Sequence, residues 1–150
     1  MTGNTALSVS PPVSALERFG ADQTAPRRAR EATERFLRDR TGAEETATAL
    51  LLVSELVTNS VTASGKIATP QVSLSLRIIG DALLIRVIDF APGIPKASKP
   101  ENPQEHGYGL FLVEELSSRF GYFLMGGGRK CTYCIFPMSG DNTGGANHDR

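Results

Sequence analysis

Leu51 to Val61 reads LLVSELVTNSV, an apolar run interrupted by Glu55 and Asn59. The two are four residues apart, so on a helix they share one face, about one turn from each other. A carboxylate in that place can accept a proton, and an amide carbonyl is a hard oxygen suited to a cation such as Mg²⁺. Asp89 closes a second apolar run, where the chain turns into APGIP. Gly107 and Gly109 stand just before an apolar stretch that starts near Leu110. A helix opened by glycines leaves free main-chain N–H groups, and the positive end of its dipole, at a point of close approach. An acid, an amide, a strand-end carboxylate and such a helix start are the parts needed to hold a nucleotide with its metal. Each alone has an ordinary reading as a helix-surface residue or a turn former; their agreement in one chain carries the weight.

These groups need a frame, and the hydrophobic pattern supplies it. Asp22 to Arg40 carries Pro26 where a first helical turn tolerates it, then Ala29, Ala32, Thr33, Phe36 and Leu37 at three-and-four spacing, with Gly42 as the stop. Ala43 to Ala63 is apolar on nearly every side, which suits a helix covered on both flanks, and Ser64-Gly65 ends it. Val72, Leu74, Leu76 and Ile78 alternate, the chain turns at Gly80-Asp81, and Leu83, Ile85, Val87 and Asp89 resume in phase, which predicts a hairpin with one buried face. A loop rich in Pro, Lys and Ser runs from Ala91 to Glu105, and GYGLFLVEELSSRFG gives a short helix. A second hairpin follows, with arms Tyr122–Met125 and Cys131–Met138 joined by GGGRK, whose glycines can supply positive φ. Residues 1–21 and 139–150 show no sustained period and are expected to be flexible ends around one domain, residues 22–138. The order of elements implies an α+β fold: a two-layer sandwich with helices on one face of a mostly antiparallel mixed sheet.

Composition narrows the function classes. At 150 residues and 40% hydrophobic content, the chain is the size of one domain with one core. Formal net charge is zero, so no summed field draws in nucleic acid. No apolar stretch approaches the roughly 20 residues of a membrane span, and the N-terminus lacks a basic segment followed by an apolar signal core. The expectation is a cytoplasmic protein with neither a nucleic acid nor a membrane as direct partner. The two cysteines, Cys131 and Cys134, form C-x-x-C. No second pair completes a zinc site, and on a strand positions three apart face opposite sides, so both read as packing residues.

ELVTNSV, DFAPGIP and HGYGLFLVEEL resemble the N, G1 and G2 boxes of the ATP-binding superfamily shared by DNA gyrase B, heat-shock protein 90, histidine kinases and mismatch-repair MutL proteins. The size of the chain and its first helix are most similar to the smallest branch, the bacterial anti-sigma-factor serine kinases, and the match runs from about Ala25 to Pro137. The resemblance implies the Bergerat fold with ATP and Mg²⁺ as cofactors. It implies that Asn59 is the Mg²⁺ ligand and that Glu55 is the general base for an attacking hydroxyl. It implies that Asp89 accepts a hydrogen bond from the adenine amino group, and that Gly93, Gly107, Gly109 and Leu110 belong to the nucleotide-binding boxes. Residues from about Ile94 to His106 are then the lid, with His106 at its hinge, and Arg30 matches a first-helix arginine that meets protein partners. Ala91 stands where the family often has its first G1 glycine. A threonine of the last hairpin falls at Thr132 or is replaced by Cys131, according to a one-residue register that the sequence leaves open.

Two functions from different classes follow from the resemblance. In one, the protein is a serine/threonine kinase that sequesters a sigma factor and phosphorylates an anti-sigma-factor antagonist with Mg-ATP, as a homodimer. In the other it is a nucleotide-dependent binding module that sequesters a regulator with little or no phosphoryl transfer. Glu55 favours the first, and Ala91 with the open threonine position leaves room for the second. A complete histidine kinase is not expected, because 150 residues leave no room for its phospho-accepting helix pair.

Overall fold

A computed structural model describes residues 13–95 and 108–139. Eight elements follow in order: β1 Ser14–Gly20, α1 Ala25–Leu37, α2 Ala43–Ala63, β2 Gln71–Ile79, β3 Ala82–Asp89, α3 Tyr108–Leu116, β4 Arg119–Leu124 and β5 Lys130–Pro137. A single 3₁₀ turn at Gly126–Gly128 joins the last two strands, with Gly127 and Gly128 both at φ 79°. The strands form one sheet in the order β1-β2-β3-β5-β4, and every pairing is antiparallel. The expected α+β sandwich is met, without a parallel pair among the described residues.

The period-two pattern sets the faces. Val72, Leu74 and Leu76 of β2, Leu83, Ile85 and Val87 of β3, and Cys134 and Phe136 of β5 are buried in one core cluster. The helices meet them there. α1 contributes Ala29, Ala32, Phe36 and Leu37, and α2 contributes Ala49, Leu52, Val53, Leu56 and Val57. The alanines of α1 let the two helices approach closely, and Arg30 Nη1 donates to Ser54 Oγ across them at 2.9 Å. α2 packs against α1, α3 and three strands, which explains its apolar character on several sides. By length and composition α2 is also apolar enough to cross a membrane, against the expectation that no stretch comes near that length; its side chains Leu52, Val53, Leu56 and Val57 are instead buried within the molecule.

Several boundaries differ from the sequence reading. The first arm of the last hairpin starts at Arg119 rather than Tyr122, because it pairs with β5 from Arg119↔Ile135 to Leu124↔Lys130. Residues 14–20 are an edge strand rather than part of a loose end, paired with β2 from Ser14↔Arg77 to Gly20↔Gln71. The first helix starts at Ala25, because Asp22 Oδ1 accepts hydrogen bonds from the Thr24 N–H at 2.8 Å and the Thr24 hydroxyl at 2.6 Å and turns the chain there. The helix ends ahead of Asp39, which has φ 63°, while Gly42 is the N-cap of α2 rather than the stop of α1. Ser139 is tied down as well: its N–H donates to Glu45 Oε1 at 2.8 Å, and its hydroxyl donates to the same oxygen. The remaining tail residues lie outside those described.

Candidate functional site

α2 carries Glu55 and Asn59 on one face, both half-buried, with fully buried Ser60 next in sequence. Ser60 ties the helix to the sheet, because its hydroxyl donates to Asp89 Oδ2. The phase that buries Leu83, Ile85 and Val87 buries Asp89 as well, and only 2% of this residue is exposed. Its other oxygen, Oδ1, accepts the Ala91 N–H at 2.9 Å, closing a tight turn as β3 ends. Such sealing of a carboxylate requires polar partners, since an unpaired buried charge is strongly disfavoured.

A partner that the sequence reading missed completes the set. Lys130, the first residue of β5, pairs with Asp89 in the strand register and points to the same side. Its Nζ lies 3.7 Å from Asp89 Oδ1, and the two side chains are 4% and 3% exposed. The ammonium also donates to Ala91 O at 3.2 Å and to Gly93 O at 3.3 Å. A signal for it was present. Lys130 shares the alternation of Thr132, Cys134 and Phe136, so the period that places those three inward places the lysine inward too. Ser60 had no comparable signal, because a serine beside Asn59 on an apolar helix resembles any small residue.

The register of β5 puts Thr132 and Cys131 on opposite faces of the sheet. Thr132 pairs with Val87, is 4% exposed and lies on the helix-covered face beside Lys130, whereas Cys131 pairs with Ile88 and faces the other way. Both cysteines are free and buried on opposite faces, as their spacing implies. Burial pushes the Cys134 thiol up to about 12 and raises that of Cys131 as well.

In the loop after β3, Gly93 has φ 90°, a conformation that favours glycine. Ala91 does not share this constraint: Asp39 is the sole non-glycine residue with positive φ among those described. The backbone at 91 therefore has no conformational need for glycine.

α3 brings the last part. A Cβ placed on Gly109 would overlap the Glu55 carboxylate and lie 2.9 Å from its Cδ, so the bare Cα leaves the room that Glu55 occupies. The acid of α2 thus lies directly against the first turn of α3, where main-chain N–H groups have no helical partner. Leu110 is 5% exposed with its side chain in the core cluster, so its main chain alone can serve a ligand. Beside the Asp89 turn a cleft of about 350 Å³ opens between Ala91–Ile94 on one side and Leu124, Met125 and Gly128–Lys130 on the other. Gly107, His106 and the expected lid beyond Pro95 lie outside the described residues.

The model of the histidine kinase-like ATPase domain matches residues 19–135, and the chain belongs to that family. No curated protein matches the sequence. Among solved structures, the chain is similar to the RsbU and RsbW domains of Rv1364c from Mycobacterium tuberculosis, with 20% identity and a TM-score of 0.61. The match covers 86% of this chain and 33% of that one, so the present chain spans about a third of that protein's length. At this identity the likeness establishes the fold alone.

Proposed function

We propose that the protein binds Mg-ATP between α2, the end of β3 and the start of α3, and passes the γ-phosphoryl group to a hydroxyl of a partner protein. This is the activity of a serine/threonine kinase of the anti-sigma-factor type, acting in the cytoplasm on an antagonist protein and holding a sigma factor, as a homodimer. The observation that carries the reading is the contact of Glu55 with Gly109. It puts a group able to take a proton beside the helix start whose N–H groups suit phosphate oxygens.

Each residue then has a task. Glu55 accepts the proton of the attacking hydroxyl, and the half-buried Asn59 offers its side-chain oxygen to Mg²⁺. Asp89 accepts a hydrogen bond from the adenine amino group, with Thr132 and Gly93 on the same side of the pocket. Gly107, Gly109 and Leu110 present main-chain N–H groups. Bound ATP supplies the phosphoryl group, and Mg²⁺ offsets its charge. The donor set suits this ion. Among the described residues no cluster of three or more His, Cys, Asp or Glu forms, and Mg²⁺ is ordinarily held by one or two protein oxygens together with phosphates. Ala91 gives little support to the binding-only alternative, because its backbone lies outside the region reserved for glycine.

Calorimetric titration with ATP, with and without Mg²⁺, tests the pocket. Binding that requires metal in the wild type and is lost in Asn59→Ala is expected. Transfer of labelled phosphate to a purified anti-sigma-factor antagonist tests the chemistry: Glu55→Ala should keep ATP affinity and lose on the order of 10²–10⁴ in rate. Undiminished transfer in that variant would remove Glu55 from the reaction, and absence of binding by the wild type would overturn the whole reading.

A further inference from the structure

Lys130 is a charge inside the sheet, at a position where the neighbouring inward residues of its strand are Thr132, Cys134 and Phe136. An apolar side chain there would satisfy the fold, since a buried ion pair is often no more stabilising than well-packed hydrophobic groups. What the lysine adds is order in one loop. Its ammonium has three protons, and the three oxygens around it, at 3.2, 3.3 and 3.7 Å, belong to Ala91, Gly93 and Asp89. One cation from the adjacent strand thus pins the whole turn that leaves β3, through charge-assisted contacts.

The carboxylate at the head of that turn is left with little freedom. A carboxylate offers about four acceptor sites. Ser60 engages Oδ2, while the Ala91 N–H and Lys130 converge on Oδ1. The capacity that remains points in a direction set by these three partners. Of the three, Lys130 alone also holds the loop beyond Ala91.

We infer that Lys130 is a positioning residue for nucleobase recognition: by pinning the Asp89–Gly93 turn it aims the remaining acceptor site of Asp89, and so sets the preference for a 6-amino over a 6-oxo purine nucleotide. The inference rests on the reading of Asp89 as the base-recognising group. Lys130 acts through Asp89, with its ammonium engaged by the turn.

Titrations of the full chain with ATP and with inosine triphosphate, which carries an oxygen in place of the adenine amino group, test this. The wild type should bind ATP about tenfold more tightly or better, because a site built to accept from an amino group leaves a polar group unpaired when that group is absent. In Lys130→Met, which keeps the length of the side chain and removes the charge, the ATP:ITP ratio should fall toward one, with ATP affinity dropping and ITP affinity nearly unchanged. Lys130→Arg should recover part of the ratio. In an Asp89→Asn background, Lys130→Met should change the ratio no further. A role in stability alone would weaken both nucleotides equally and leave the ratio intact. Circular dichroism checks folding, and Lys130→Gln takes the place of the methionine variant if the latter does not fold. A wild-type preference that persists undiminished in the folded Lys130 variants overturns the inference and leaves the Asp89 reading standing. A wild type with no preference overturns both.

Discussion

At the Asp89 end of the site a carboxylate and an ammonium are sealed to within a few per cent of full burial, and the hydrogen bonds around them come from α2, from β5 and from the loop itself. At the Glu55 end, about one and a half turns before Ser60 on α2, the acid and the neighbouring Asn59 are only half-buried, and what defines the surroundings of the acid is the bare Cα of Gly109. One end is fixed by paired charges and the other by a missing side chain. The difference matches what each end is proposed to do. Recognition of a flat base gains from a rigid acceptor, whereas a group that takes a proton and meets a changing ligand needs room and access to solvent.

The sharpest way to break the contrast is Asp89→Ala. It leaves Lys130 buried without its counter-charge, and loss of one partner from a buried pair costs about 3 kcal/mol or more; urea unfolding should register that loss together with loss of ATP binding. A fully stable variant would mean that the two backbone carbonyls alone suffice for the lysine. Gly109→Ala is the corresponding change at the open end, with the opposite signature. The added methyl meets the far end of a flexible side chain, so Glu55 swings aside. Stability should stay within about 1 kcal/mol, since alanine is also the better helix former, while phosphoryl transfer falls on the order of a hundredfold. Comparable losses of stability in both variants would erase the distinction between the ends.

A smaller effect probes the sheet beneath the sealed end without touching its charges. Because burial raises the Cys134 thiol to about 12, the folded state keeps this proton more tightly than the unfolded chain, whose thiol titrates near 9.0. Stability from this group is therefore complete below pH 9 and falls as pH rises toward 12, by at most about 1.4 kcal/mol per pH unit. Denaturant midpoints measured from pH 8 upward should decline in the wild type and less so in Cys134→Ala. In the same range a thiol reagent should label the native protein far more slowly than the unfolded one.

Much of this arrangement was legible in the sequence, and the parts that were not share a cause. α2 and the β2–β3 hairpin follow from periodicity, which is local: Ala43 to Ala63 and the turn at Gly80-Asp81 fall where the pattern puts them. β1 was hidden because its inward positions are Ala15, Glu17 and Phe19, a weak alternation that acquires meaning only by pairing with β2 some fifty residues later. Asp89 was visible as a strand-end acid. Ser60 gave no signal, and the inward phase of Lys130 did not reveal its pairing with Asp89, since a buried ion pair is a property of two distant segments. Which of Thr132 and Cys131 lies on the helix-covered face needed the β3–β5 register, which again joins distant strands.

The contact between Glu55 and Gly109 also bears on how this sequence can change over time. Any side chain at 109 displaces the acid, and any shortening at 55 removes the reason for glycine. Neither position can drift alone without passing through a form in which the acid is misplaced or the helix start is needlessly flexible. Descendants of this chain that keep a side chain of this length at 55 are thus held to glycine at 109, and a lineage in which that side chain has shortened should be recognisable by alanine or serine settling at the first turn of α3.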